Sequence, residues 1–320
     1  MFFSRILKFT AALLFISIFA NLSFSQKNKQ KKDDPQKVRT MTIPISIFSK
    51  KELKENKTGE FLEAGEIIVK EDNDEQTILS IRSVTNTPLH IAILVQDNLS
   101  SDFNLQLEEI KTFIKKLPAD SRVMVAYLRS GTTQIRQKFT TDLTKAADSL
   151  RIVTGNSSLA PNSPFEGVEE ILPRFDALPT GRRAILMISD GVDLSSSTPQ
   201  QSLALDQAIL KAQRRGVAVY SFYSSTSSTE GGNSSFVLNS QGALDRLSEE
   251  TGGHAYFQGT ISPISLQPFF KDLNLALNRQ FALTYLSTHF KKGYHKVQVT
   301  STNPEVRIAH PKGYYYRGNN

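Results

Sequence analysis

The sequence predicts an α/β chain: a doubly wound, mostly parallel sheet with a β-strand appendage drawn from both termini. Three observations lead there. Ile91–Val95 is an unbroken apolar, β-branched run, and Arg182–Ser189 holds a second; both are too short for helices and match strands buried on both faces. Each strand runs out in an aspartate, Asp97 and Asp190. Between residues 88 and 280 such runs alternate with segments of helical spacing, whereas residues 41–87 and 281–316 carry the period-2 spacing of strands alone.

The N-terminus stands apart from this pattern. Arg5 and Lys8 precede an apolar run, Phe9–Ala20, and Asn21–Ser25 offers small residues before Gln26, the layout of a secretory signal peptide over residues 1–25. The run is short for a membrane span, so no integral span is expected after cleavage, an uncleaved anchor being the other reading. Export places the chain in the periplasm or outside the cell. The chain contains no cysteine, which excludes disulfides, thiolate metal sites, cysteine nucleophiles and a lipid anchor at the cleavage position. Of the net charge of +7, about +6 falls within residues 1–40, where Lys and Arg outnumber Asp33 and Asp34. Residues 26–40 therefore read as a basic, disordered linker. The remainder is close to neutral, and no nucleic-acid partner is expected.

The elements follow in order. Thr42–Phe48 alternates, with Pro44 suggesting an edge strand. The stretches 66–70 and 76–82 flank the turn-rich Glu71–Asp74 and read as a hairpin. The strand at Leu89–Gln96 leads to a helix over 103–117, with Phe103, Leu107, Ile110, Phe113, Ile114 and Leu117 on one face. Arg122–Leu128 is the next parallel strand, and Gln134–Phe139 follows closely enough to be an antiparallel edge. A helix over 142–153 and a Gly/Asn/Ser/Pro loop over 154–164 lead to a helix over 165–178 that Pro173 should kink. After the second aspartate strand come a helix over 199–215, a strand over 216–222, a Ser/Thr/Gly loop over 224–235 and a helix over 241–251. Gly252-Gly253 caps that helix before a short strand over 254–257 and a last helix over 266–279. Residues 41–87 and 281–320 then supply the appendage around an α/β domain spanning 88–280.

If the two aspartate strands are neighbours, Asp97 and Asp190 face one crevice beyond the carboxyl ends of the sheet, where ligands of open α/β sheets bind. Two carboxylates and nearby hydroxyls suit a hard divalent cation such as Mg²⁺ or Ca²⁺. The plainer reading is that Asp97 and the serines after it cap the following helix. Here the chain resembles the von Willebrand factor A-type (vWA) domain, and more closely the VWFA-related exported bacterial proteins, over about residues 40–317. The resemblance rests on Leu89–Asp97, on Arg183–Gly191 with its Ser-Asp-Gly ending, on Ala218–Phe222, and on the closing strands to Tyr315.

The resemblance implies a metal-ion-dependent adhesion site read as Asp-x-Ser-x-Ser, a loop threonine and a closing aspartate. Asp97 matches the first aspartate, Ser101 the second serine and Asp190 the closing aspartate; Ser163 is the candidate for the loop position, and Leu99 stands where the first serine belongs. The expected metal set is thus Asp97, Ser101, Ser163 and Asp190, holding Mg²⁺ with Mn²⁺ or Ca²⁺ as substitutes, against a degenerate, metal-free crevice. Asp193 and Asp102 are further candidate ligands. No Gly-x-Ser-x-Gly elbow, phosphate loop or His-Glu-x-x-His is present, so no enzyme is expected. The expectation is a binding module for a protein or cell-envelope ligand; the alternative is a structural scaffold subunit of an envelope assembly with a vestigial site.

Overall fold

The structure, a computed structural model, describes residues 38–49, 67–84, 87–130, 132–179, 182–196, 202–229 and 234–316. The expected signal peptide and nearly all of the basic linker lie outside the described residues. From Val38 onward the backbone forms one compact unit. Among the described residues no helix is long and apolar enough to cross a membrane.

A six-stranded sheet forms the α/β half. Its strands are β4 (Leu89–Gln96), β5 (Arg122–Arg129), β6 (Thr132–Thr140), β7 (Arg182–Ser189), β8 (Ala218–Tyr223) and β9 (Ala255–Tyr256), in the order β6-β5-β4-β7-β8-β9. All neighbours are parallel except β6, which pairs antiparallel with β5. Every residue of β4 is buried, as expected of a central strand covered on both faces. Alternate residues serve opposite layers. Ile91, Ile93 and Val95 join a core with α1 (Leu107–Lys115), α2 (Leu143–Asp148) and α6 (Gln267–Asn278). Ala92 and Leu94 join another with α3 (Pro164–Ile171), α4 (Leu203–Arg215) and α5 (Ser234–Thr251).

The second sheet is seven-stranded and antiparallel throughout. β1 (Arg39–Ser49), β2 (Ile67–Glu71) and β3 (Asp74–Ser83) meet β10 (Gln280–Ser287), β11 (Gly293–Ser301), β12 (Val306–Ala309) and β13 (Gly313–Tyr316) in the order β12-β1-β10-β3-β2-β11-β13. β2 and β3 are joined by a tight turn with Asp72 and Asn73 at positive φ, conformations that Asp and Asn tolerate. Although β1 lies inside the sheet, β12 reaches only its Ser46–Ser49 end. On that side Pro44, which lacks a donor, faces no strand among the described residues, so it stands at a local edge of an interior strand.

Several helices differ from their sequence-based bounds. The segment after β4 begins as a 3-10 turn, Ser101–Gln106, before α1. Pro173 ends α3 early, and Leu172–Phe175 continues as a 3-10 turn because proline supplies no amide to the preceding turn. α2 stops at Asp148 rather than reaching Val153: the hydroxyl of Tyr127 accepts from the Arg151 amide and donates to its carbonyl, both at 2.8 Å, holding that residue out of the helix. α5 starts at Ser234, seven residues before the expected position, taking in part of the expected loop.

Candidate functional site

β4 and β7 are adjacent and in parallel register up to Val95 and Ile188, which brings the two aspartates to the same edge of the sheet. The chain leaves β4 for β5 on one side while β7 lies on the other, so Asp97 and Asp190 sit at the point where the strand order reverses. Both are buried.

Asp97 is fully engaged. Arg151 Nη1 donates to its Oδ1 and Nη2 to its Oδ2, each at 2.7 Å, a bidentate charge-assisted pair. The guanidinium lies over the Tyr127 ring, 4.2 Å from its centroid, and also donates to the Ile152 carbonyl. Arg129 adds a second positive charge, with Nε 3.8 Å from Asp97 Oδ2. The Asp97 bond in turn holds the Arg151 guanidinium above its ordinary pKa.

Asp190 is held differently. Its Oδ1 accepts from the Val192 amide at 3.0 Å and its Oδ2 from the Thr226 hydroxyl at 2.9 Å. Burial pushes its pKa up, opposed by these hydrogen bonds. Gly191 follows at φ +72°, where a Cβ would stand 2.6 Å from the Ser240 carbonyl oxygen, so only glycine fits the turn against α5. Between the aspartates, the Gln96 amide donates to Asn98 Oδ1 at 2.9 Å, while Ser189 Oγ donates to Gln96 Oε1.

The remaining expected ligands differ in their settings. Ser101 is exposed at the start of its 3-10 turn. Ser163 is buried before α3; its Oγ has no hydrogen-bond partner and does not cap the helix. It lines a notch of about 40 Å³ with Arg129 and Glu166. Leu99 is fully buried in the core, bridged through its backbone to Thr226. Asp193 braces its own loop, accepting from the Ser195 amide at 2.9 Å and from the Ser202 hydroxyl, and Asp102 is exposed.

A divalent cation needs several converging oxygens with free lone pairs. Here the Asp97 carboxylate faces a guanidinium, and Leu99 offers no side-chain oxygen. The donor set as it stands does not fit Mg²⁺. Two residues that shape the crevice, Arg151 and Thr226, are absent from the sequence-based set. Arg151 lies 54 residues from Asp97 and no local motif marks it.

No family model matches the chain, and no curated protein does. Among solved structures, BatB from Bacteroides thetaiotaomicron aligns with 13% identity and a TM-score of 0.44, covering 59% of this chain and 97% of that one. The SpRpn10 VWA domain aligns with 15% identity and a TM-score of 0.39, covering 59% and 94%. Manganese-loaded TRAP from Plasmodium vivax aligns with 11% identity and a TM-score of 0.40, covering 77% and 97%. All three overlays fall below a TM-score of 0.5, so the fold assignment rests on the strand order and register given above.

Proposed function

We propose that this chain is an exported, non-enzymatic binding module of the vWA type that holds a protein or cell-envelope ligand at the crevice above Asp97 and Asp190 without a metal ion. The observation that carries this reading is an apolar rim. Leu105, Ile152, Leu194, Ile261 and Ile264 are between 62% and 87% exposed. Leu105, Leu194, Ile261 and Ile264 sit in segments that follow parallel strands, and Ile152 adjoins Arg151. Gln106 donates to the Pro263 carbonyl, tying the Leu105 segment to that of Ile261 and Ile264, and the Ser225 and Ser262 hydroxyls lie 2.7 Å apart. Exposed aliphatic side chains at this end of the sheet favour contact with a macromolecule. Arg151 supplies internally the positive charge that a metal would bring to Asp97.

Two measurements test the reading. Thermal unfolding of the full chain in EDTA and then in Mg²⁺, Mn²⁺ or Ca²⁺ should show no saturable shift. A real site at about a hundred times its dissociation constant would add roughly 2.7 kcal/mol, and such a shift, abolished by Asp190→Ala, would overturn the metal-free reading. Cross-linking to envelope fractions in EDTA should yield an adduct that is lost in Leu105→Asp/Ile264→Asp. An adduct insensitive to those changes but lost on substitution along β12 or β13 would favour the scaffold alternative.

A further inference from the structure

At the opposite end of the parallel sheet from the crevice lies a groove of about 460 Å³ between the start of β7, the end of α4 and the β1/β10 face of the second sheet. Its described lining contains five arginines (Arg39, Arg182, Arg183, Arg214 and Arg215) and no carboxylate. Arg215 pairs with Asp176 at 2.9 Å, and Arg39 stands 3.9 Å from Glu71. Arg182 and Arg183 form no ion pair among the described residues.

Arg182 is 4% exposed, and among the described residues its guanidinium is met by carbonyls: Nε donates to Thr87 at 3.0 Å and Nη1 to Leu277 at 3.1 Å. The exposed Asp120 acts on it only at a distance, and burial pulls its pKa down. Arg183 donates to the Leu178 and Arg215 carbonyls at 3.0 and 3.3 Å, while its buried Nε has no partner. In register beside Arg183 come His90 and then Arg122, outside the groove lining. Burying a guanidinium without a counter-charge is costly, and a ligand anion would relieve it. The opposite wall is apolar, with Met41, Ile43, Val84 and Phe281.

We infer that this groove is a binding site for an amphiphilic oxyanion, its phosphate or carboxylate group set among the arginines at the start of β7 and the end of α4 and its apolar body against the β1/β10 face. The guanidinium fork suits such groups because it donates two parallel hydrogen bonds. This site is independent of the crevice.

The test is titration of the full chain with monomeric octyl phosphate, followed by thermal shift and calorimetry at matched ionic strength. Inorganic phosphate and the uncharged octyl glucoside serve as comparators. Octyl phosphate should bind saturably and at least tenfold more tightly than either comparator. Arg183→Gln and the rim variant Arg214→Gln should each weaken it by tenfold or more, while the exposed Lys145→Gln on α2 should leave it unchanged. Arg214 is exposed, so its variant keeps the test informative if Arg183→Gln fails to fold. Equal binding of octyl glucoside, or binding indifferent to both arginine changes, would overturn the inference. Co-sedimentation with anionic phospholipid vesicles that requires Arg214 would support the site and identify a lipid headgroup. Binding of octyl phosphate without co-sedimentation would support it and identify a free amphiphile.

Discussion

At the scale of single residues, the crevice is governed by one charge pair. Arg151→Ala would leave the Asp97 carboxylate, 1% exposed, without its bidentate partner. Breaking a buried pair typically costs about 3–5 kcal/mol, here lessened by Arg129, which stays 3.8 Å from the carboxylate, and is read as a fall in the denaturation midpoint. Asp97→Asn combined with Arg151→Met should recover most of that loss, because the isolated charge disappears; a double variant no more stable than Arg151→Ala would refute the pairing account. His90 gives the pH prediction. It is fully buried, and burial followed by Arg122 and Arg183 lowers its pKa, opposed by a hydrogen bond to the Pro179 backbone. A base with a depressed folded-state pKa contributes stability that is complete above its unfolded value near 6.5 and is lost as pH falls through the folded value. His90→Leu should therefore flatten the acid limb of the Tm–pH curve below about pH 6.5. An unchanged acid limb would count against it.

Elements meet at points where a glycine is required by close approach. Gly253, between α5 and β9, brings its backbone against β8, and a Cβ there would stand 1.9 Å from the Val219 carbonyl oxygen. Backbone cannot give way as a side-chain tip can, so Gly253→Ala should cost about 3 kcal/mol or more in chemical denaturation. A loss under about 1 kcal/mol would show that β9 is not held against β8. The Gly-Gly pair was legible as a helix stop, but the requirement at Gly253 arises from β8, more than thirty residues away. The end of α2 teaches the same lesson. Spacing continued the helix to Val153, whereas the Tyr127 hydroxyl captured the Arg151 backbone and freed its side chain to reach Asp97.

Across the whole molecule the two sheets share packing. Phe48 of β1 belongs to the same apolar cluster as Phe270, Leu273 and Leu277 of α6. Ser46 Oγ donates to the Ala276 carbonyl at 3.4 Å, and the Lys312 amide donates to the Glu250 carbonyl at 3.2 Å. Residues 38–316 should consequently unfold in one transition, with coincident far-ultraviolet and tyrosine circular dichroism and equal calorimetric and van't Hoff enthalpies. Two resolved transitions would show that the second sheet is an independent domain. The charge distribution also belongs to this scale. A near-neutral folded region still gathers five arginines along one groove, which overall charge conceals.

By itself the sequence determined the class of fold, the central aspartate strands, the β2–β3 hairpin and the glycine after Asp190. Those features follow from periodicity and local backbone conformation, which a chain carries in short windows. Which partners the two carboxylates take was decided only in three dimensions. A guanidinium 54 residues from Asp97 reached its carboxylate, Thr226 reached Asp190 from 36 residues away, and Leu99 turned into the core. Charge neutralisation acts through space over a few ångströms, and the partner of a buried carboxylate is set by packing rather than by nearness in the chain.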